Sequence, residues 1–227
     1  MIVLPARHNS KELYIFLHGA FDTPWVWSHI IDEMRECTSS DFVLFYLDDI
    51  DCIQEVIESV SKEVKIKLVG FSLGGVAALK LCEELAYKKN IELFLISYPL
   101  LPNKNLVKGR LILSKALNSI VSNFNRRLFP LFLRGKLYTG RSVHLLSYVG
   151  DNDYKLIYNA SGCIRVNIYS ARLDFVSGSI AKQKQFLEKF IDAGINATFV
   201  DGGYSSHFAY LINRKKLVNW LTYPPES

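Results

Sequence analysis

Ser72 lies at the centre of the pentapeptide Gly-Phe-Ser-Leu-Gly, at residues 70–74. A mainly apolar run precedes the pentapeptide and an alanine- and leucine-rich helical pattern follows it, so the sequence predicts a strand, a tight turn and a helix. At such a turn the serine backbone is strained and the hydroxyl is held at the end of the strand, while glycines on both sides avoid collisions with neighbouring elements. The pattern therefore predicts a nucleophilic serine.

An activated serine needs a general base to accept its proton and an acid to orient that base. His207 follows the last predicted strand in a glycine-rich loop, from which an imidazole can reach Ser72. Asp174 ends the preceding predicted strand, so the chain order is Ser, Asp, His. We take His207 as the base and Asp174 as the acid.

Other histidines and carboxylates have alternative explanations. Three histidines are predicted to lie on a strand edge, on a surface helix and in an inserted segment: His8, His29 and His144. Asp151 and Asp153 stand beside a glycine, where turn formation accounts for them, and no predicted strand ends there. Asp201 is close to His207 along the chain and is expected to shape the turn after its strand.

The oxyanion that forms during attack on a carbonyl needs hydrogen-bond donors. The backbone amide of Leu73, directly after the serine at a helix N-terminus, is one candidate. The second is the amide of Ala20, in the turn His18-Gly19-Ala20 after the first core strand. An ordinary turn in which His18 only hydrogen-bonds the backbone is the alternative for this segment.

Strand-like and helix-like segments alternate along the chain, which predicts an α/β fold with a mostly parallel sheet covered by helices. Strands are predicted at 13–17, 42–47, 67–69, 92–97, 164–170 and 197–200. Helices are predicted at 24–37, 52–63, 73–88, 179–193 and 208–221. Thr23 and Asp51 are expected to cap the first two helices, and Gly194 to end the fourth.

The alternation breaks down at residues 99–162, which we predict to form a helical cap over the strand ends, between core segments 1–98 and 163–227. No acidic residue occurs between Glu92 and Asp151, whereas nine of the chain's 27 basic residues do. The net charge of +5 therefore reflects this one apolar, basic segment.

Bulk properties indicate one soluble domain of 227 residues. No apolar run is long enough to span a bilayer, and the N-terminus lacks the pattern of a signal peptide, so a cytoplasmic location is expected. The four cysteines are widely spaced without a C-x-x-C pair, which argues against a metal site or a disulfide framework. They are expected to be buried, inert thiols.

Together these segments resemble the α/β-hydrolase superfamily over residues 13–210. The Leu-His-Gly-Ala-Phe turn at 17–21, with Trp25 and Trp27 following, is similar to its small-esterase branch. The resemblance implies an α/β-hydrolase fold with a cap insertion. It also implies a serine hydrolase without cofactor, with a triad of Ser72, Asp174 and His207 and an oxyanion hole of Ala20 and Leu73.

The cap carries what the sequence indicates about the substrate. Its apolar residues suit an acyl chain, and its nine cations, which have no acidic partner within the segment, suit an acidic or phosphorylated partner, so acyl carrier protein is a candidate. In this respect the sequence resembles esterases that act on pimeloyl methyl esters of that carrier in biotin synthesis, in which a basic cap meets the acidic carrier. It is also compatible with type II thioesterases, which face similar partners. We expect His18, Trp25, Phe124 and Phe132 to contact substrate, and Arg126 and Arg127 to contact the partner.

Three alternatives stay open. The cap cations could simply be solvated or pair with carboxylates elsewhere in the fold. A basic cap could settle on anionic lipid and admit a lipid ester. The chain could also be a non-catalytic binding protein that kept the scaffold. Nucleic acid is disfavoured, because the cap aromatics lie among apolar neighbours. A monomer is expected.

Overall fold

The structure of the chain is a computed structural model, which describes residues 2–4, 10–19, 22–85, 90–100, 165–174, 177–205, 207 and 213–225. The predicted cap, at 99–162, lies almost entirely outside these residues, as do its proposed boundaries with the core on its C-terminal side.

Seven strands within the described residues form one sheet. They are β1 Ile2–Leu4, β2 Glu12–Leu17, β3 Asp41–Phe45, β4 Lys65–Phe71, β5 Ile91–Ile96, β6 Arg165–Ser170 and β7 Ala197–Asp201. Their order is β1-β3-β2-β4-β5-β6-β7, and all neighbours pair in parallel except β1, which is antiparallel to β3. The mostly parallel sheet predicted from the sequence is confirmed.

The central strands are buried on both faces. Every residue of β5 is buried, and every residue of β4 after Lys65. Continuous apolar runs of this kind are typical of parallel strands covered by helices on each side. Two details differ from prediction: Leu47 lies in a 3-10 turn beyond the end of β3, and the short strand β1 was not predicted.

Five α-helices occur in the described residues. They are α1 Ser28–Cys37, α2 Ile50–Ser59, α3 Leu73–Leu85, α4 Ile180–Asp192 and α5 Arg214–Thr222. Of the predicted helix ends, Gly194 is right, because it follows α4 at φ +76°. Ser179, predicted as the first residue of this helix, is instead its N-cap, and its hydroxyl accepts the Lys182 N–H. A 3-10 turn at Pro24–Trp27 precedes α1, Thr23 makes no side-chain cap within the described part, and Asp51 lies inside α2 rather than before it.

The helices cover the sheet on both faces. Buried residues of α2, α3 and α4 pack with one face into a first core cluster, which contains Ile53, Val76 and Phe186. Residues of α1 and α5 pack against the other face in a second cluster, which contains Met34 and Trp220. Burial of apolar surface on both sides of the sheet fixes the strands and therefore the loops at their ends.

The cysteine prediction was wrong for two of the thiols. Cys82 is buried in the core as expected, whereas Cys37 and Cys52 are exposed and free; Cys163 lies outside the described residues. In the described part of the chain no group of three or more potential metal ligands occurs. Over the same residues, none of the helices combines the length and apolar character needed to cross a bilayer.

Candidate active site

Ser72 occupies a sharp turn between β4 and α3. Its φ is +51°, a left-handed conformation that is strained for a residue with a side chain. The turn is held by hydrogen bonds from the Ser72 N–H to the Ile96 carbonyl and from the Gly75 N–H to the Ser72 carbonyl, both 2.9 Å. The serine therefore lies at the carboxyl end of a central strand, as the pentapeptide predicts.

The glycines around Ser72 are required by close approach of backbone. A Cβ on Gly70 would lie 2.4 Å from the Gly74 carbonyl oxygen, and one on Gly74 would lie 2.3 Å from that of Leu17. Real Cβ atoms do not approach backbone so closely. The glycines thus allow α3 to pack directly against β4 and against the end of β2.

Asp174 and His207 form a hydrogen-bonded pair. The imidazole Nδ1 lies 2.9 Å from Asp174 Oδ1 and 3.0 Å from Oδ2. Oδ1 also accepts the Ser177 N–H at 2.9 Å. Burial by itself would raise the pKa of Asp174, but the hydrogen bonds from His207 and Ser177 hold that pKa below its usual range. An ionised carboxylate thus keeps the proton on Nδ1 and leaves Nε2 on the ring edge away from Asp174.

The loops that carry the acid and the base are joined through their backbones. The N–H groups of Arg172 and Leu173 donate to the carbonyls of Gly203 and Ser205, at 2.9 and 3.1 Å. These bonds extend the β6–β7 pairing beyond both strand ends. The short acid loop and the base loop are therefore fixed relative to one another.

Asp201 shapes the turn at the end of β7, as expected from the sequence. Its Oδ1 accepts the Gly203 N–H and its Oδ2 accepts the Arg172 Nε–H, each at 2.8 Å. Desolvation raises the pKa of this half-buried carboxylate, but the hydrogen bonds from Gly203 and Arg172 together outweigh it and the pKa is lowered. Asp201 therefore stabilises the turn that leads into the base loop.

Phe71 connects the serine turn with His207. The Phe71 ring centroid lies 4.9 Å from that of the imidazole, with the rings tilted by 43°. The Ser97 hydroxyl, at the end of β5, donates to the His207 carbonyl at 3.4 Å. The base is therefore placed against the residue next to Ser72, at the carboxyl edge of the sheet that all three triad candidates share.

Of the two candidate oxyanion donors, the structure describes Leu73. It is the first residue of α3, so its N–H has no acceptor within the helix. Ala20 lies outside the described residues. The preceding Gly19 packs against the serine turn, because a Cβ there would lie 2.7 Å from the Phe71 ring. The turn after β2 and the serine turn are thus in direct contact.

The His18 side chain hydrogen-bonds the backbone of the turn that it begins. Its Nδ1 lies 2.7 Å from the Gly19 carbonyl, and the Asp22 N–H reaches the same carbonyl at 3.3 Å. Burial lowers the pKa of His18, so the ring is neutral near pH 7 and Nδ1–H is the donor. The alternative considered above, a backbone-bonding His18, describes this geometry; substrate contact by His18 remains a prediction.

The remaining predicted residues divide into two groups. Trp25 is 54% exposed in the 3-10 turn after β2, and His29 is exposed on α1 as expected. The predicted cap residues and the rival candidates in or near the cap lie outside the described residues: Phe124, Arg126, Arg127, Phe132, His144, Asp151 and Asp153. His8 lies outside them as well.

Four residues that hold the site were not predicted as site residues. Phe71 occupies the variable second position of the pentapeptide. A large ring next to the serine could have indicated a packing contact with the base. Ser97, Ser177 and Gln183 carry no motif, and only tertiary contacts bring them to Asp174 and His207.

No protein-family profile matches the chain, and no curated protein matches its sequence. Solved structures do match. An enol-lactonase from Burkholderia xenovorans LB400 has a TM-score of 0.69 at 10% identity, over 96% of this chain and 92% of the other. A lipase-esterase related protein from Clostridium acetobutylicum ATCC 824 has a TM-score of 0.64 at 12% identity, over 96% of both chains. A monoacylglycerol lipase from Paleococcus ferrophilus has a TM-score of 0.63 at 12% identity, over 97% of both.

These matches confirm the fold that the sequence resemblance implied: the chain has the α/β-hydrolase fold. Because the fold supports more than one chemistry, the reaction has to be argued from the residues at the strand ends.

Proposed function

We propose that the protein is a serine hydrolase that cleaves a carboxylic ester or thioester, with Ser72 as nucleophile, His207 as general base and Asp174 as the orienting acid. One observation carries the proposal. A buried carboxylate holds His207 through Nδ1, and the ring rests against Phe71, the residue before a serine in a strained strand-to-helix turn. Chain order and geometry agree with a nucleophile elbow and its two partners.

The reaction proceeds in two steps. The Ser72 oxygen attacks the carbonyl carbon while His207 Nε2 accepts the hydroxyl proton, and the resulting oxyanion accepts hydrogen bonds from backbone amides, of which Leu73 is one and Ala20 the expected second. His207 then gives the proton to the departing alcohol or thiol. Water attacks the acyl-serine by the same route and releases the acid. Asp174 stays ionised throughout and stabilises the imidazolium.

Ester chemistry is favoured by the kinds of protein that share the fold. Three of the matched structures carry the names lipase-esterase related protein, enol-lactonase and monoacylglycerol lipase. The carboxylate, base and serine proposed here, with backbone donors for the oxyanion and a water for the second step, suffice for that chemistry.

The experiment that tests the proposal is labelling with a fluorophosphonate probe, followed by hydrolysis of p-nitrophenyl esters of graded chain length. Ser72→Ala is expected to abolish labelling and to lower kcat by ~10⁶-fold. Ser59→Ala, at an exposed serine on α2, is the control and is expected to label like the wild type. A folded wild-type protein that neither labels nor hydrolyses any ester would favour a non-catalytic binding protein instead.

The substrate we propose is an acyl group on acyl carrier protein, of the pimeloyl methyl ester type. The support is the charge pattern: nine basic residues and no acidic one between Glu92 and Asp151, in a segment rich in apolar residues. Attraction between a basic surface and an acidic carrier weakens as salt screens it. If the rate on acyl carrier substrates changes neither with salt concentration nor in the double variant Arg126→Ala, Arg127→Ala, this substrate is contradicted. A preference for acyl-CoA would favour a thioesterase, and a preference for esters in anionic vesicles would favour a lipid esterase.

A further inference from the structure

Gln183 is a fully buried polar residue that the proposed reaction does not use. It lies in the first turn of α4, on the face that otherwise packs Phe186 and Phe190 into the core. A buried amide on an apolar helix face is unfavourable unless its donors and acceptor find partners. The partners of Gln183 therefore indicate what the residue is for.

The Gln183 amide acts as a double donor. Its Nε2 donates to the Ser177 carbonyl at 2.5 Å and to the Tyr98 carbonyl at 2.8 Å. Its Oε1 is buried and has no partner among the described residues. A flipped amide would set Oε1 against two carbonyl oxygens, so only this orientation satisfies them. The side chain thus fixes two carbonyls and leaves its own acceptor unpaired.

The first carbonyl leads to the acid. Ser177 uses its N–H to donate to Asp174 Oδ1, the oxygen that also accepts the His207 Nδ1–H at 2.9 Å. Gln183 holds the Ser177 carbonyl, which belongs to the peptide unit next to the one that carries the Ser177 N–H. The two units share the Ser177 Cα, so a shift of the carbonyl would be passed on to the N–H. This N–H is one of the hydrogen bonds that keep the Asp174 carboxylate in place.

The second carbonyl leads to the base. Tyr98 directly follows Ser97, whose hydroxyl donates to the His207 carbonyl at 3.4 Å. The Tyr98 ring also stacks on Phe186, with centroids 4.7 Å apart. One amide on α4 therefore holds both the segment after β5, which contacts the backbone of His207, and the acid loop after β6.

We propose that Gln183 is a positioning residue for Asp174 and His207: its two N–H donors fix the Ser177 and Tyr98 carbonyls, and through them the relative placement of acid and base. The inference deepens the proposed hydrolase function and rests on it. A role limited to core packing does not account for the choice, because an apolar side chain of similar length would fill the same space without an unpaired Oε1.

The test is Gln183→Met, which keeps the length of the side chain and removes both donors. With p-nitrophenyl butyrate we expect kcat to fall ~10- to 100-fold, as displacement of a catalytic pair by less than about 1 Å does, with KM within about threefold of the wild type. Proton NMR follows the His207 Nδ1–H resonance, which lies far downfield when the proton is shared with Asp174. That resonance is expected to shift or broaden in Gln183→Met.

Two controls separate positioning from loss of stability. Gln185→Met makes the same replacement at an exposed position of α4, and Phe190→Leu loosens the packing of α4 without touching either carbonyl. Both are expected to keep kcat and the Nδ1–H resonance of the wild type at a temperature where all variants are folded. A folded Gln183→Met protein with unchanged kcat and resonance would overturn the inference.

If Gln183→Met does not fold, Gln183→Glu is compared with the wild type at one pH, where the buried carboxyl is protonated and can donate one of the two bonds. A folded Gln183→Glu protein with a lower kcat and a shifted resonance supports positioning, wild-type values of both would overturn it, and failure of both variants to fold would make Gln183 a structural residue and also overturn it. The NMR comparison does not depend on turnover. A wild type without esterase activity would therefore contradict the proposed function while the hydrogen-bond test on Gln183 could still be read.

Discussion

Asp174 shows how a single carboxylate determines the state of the whole site. Its Oδ1 accepts two hydrogen bonds, from Ser177 N–H and from His207 Nδ1–H, and its side chain is fully buried. Both donors favour the ionised form, which is why the pKa is lowered in spite of burial. The ionised carboxylate fixes the imidazole tautomer that leaves Nε2 able to take the serine proton.

Asp174→Asn is expected to separate this role from shape. With its oxygen on the Ser177 N–H, the new amide would turn its N–H₂ toward Nδ1 and force the proton onto Nε2, so kcat is expected to fall ~10⁴-fold with little change in fold.

The same variant tests how the pKa of Asp174 makes the free energy of unfolding depend on pH. A carboxyl with a lowered folded-state pKa stabilises the protein above the unfolded value of about 4, and this stabilisation is lost as pH falls through the folded pKa.

Urea unfolding of both proteins from pH 7 to pH 2 measures that loss. The wild type is expected to lose more free energy of unfolding below about pH 4 than Asp174→Asn does. Parallel pH profiles for the two proteins would contradict the lowered pKa of Asp174, whatever the outcome for kcat.

At the scale of elements, the site depends on how closely α3 approaches β2. Gly74 and Gly75 follow one another in the first turn of α3 but face different surroundings. A Cβ at Gly74 meets the Leu17 and His18 carbonyl oxygens at 2.3 and 2.5 Å, whereas one at Gly75 meets the Tyr98 ring at 3.2 Å and the nearest backbone oxygen, that of Gly70, only at 3.4 Å. Backbone cannot yield as a side chain does, so the two glycines are not equivalent.

Gly74→Ala is expected to lower the free energy of unfolding by about 1–3 kcal/mol, because α3 or the turn after β2 has to move. Displacement of that turn also moves Gly19 and Phe71 and is expected to lower kcat more than KM. Gly75→Ala is the matched control, where the gain in helix propensity of about 1 kcal/mol offsets the tight contact. Chemical denaturation and ester hydrolysis give both numbers, and equal effects of the two changes would contradict the close-approach argument.

The features that could be predicted are those that depend on residues close together in the sequence. The serine turn, the parallel strands and the glycine end of α4 follow from short-range periodicity and turn chemistry. The predicted start of α2, after a cap at Asp51, was wrong. The 3-10 turn at Leu47–Asp49 leads directly into the helix, so Asp51 already lies inside it. Gln183 and Ser177 could not be predicted, since their roles depend on carbonyls brought to them by distant strands.

At the scale of the whole molecule, a buried polar network occupies the other half of the sheet. Lys67 on β4 contacts Glu12 and the Tyr14 hydroxyl on β2, at 3.0 and 2.7 Å, and Tyr14 donates to the Leu221 carbonyl at the end of α5. The triad candidates follow the carboxyl ends of the strands, whereas Glu12 begins its strand. The polar network and the candidate catalytic residues therefore occupy opposite halves of the same strands.

The two charges of this network are expected to respond unequally to removal. The Lys67 side chain is only 4% exposed, whereas that of Glu12 is 35% exposed and can be solvated without its partner. Glu12→Met removes the carboxylate that lies 3.0 Å from the buried ammonium and is expected to lower the free energy of unfolding by about 3 kcal/mol, while Lys67→Met changes it by no more than about 1 kcal/mol. In the double variant the lysine is gone, so its stability is expected to approach that of Lys67→Met. A double-mutant cycle by urea denaturation measures all three, and a larger loss in Lys67→Met than in Glu12→Met would show that the ammonium stabilises the fold.

Ester hydrolysis by folded Lys67→Met is expected to stay within about twofold of the wild type, because the network lies away from the carboxyl ends of the strands.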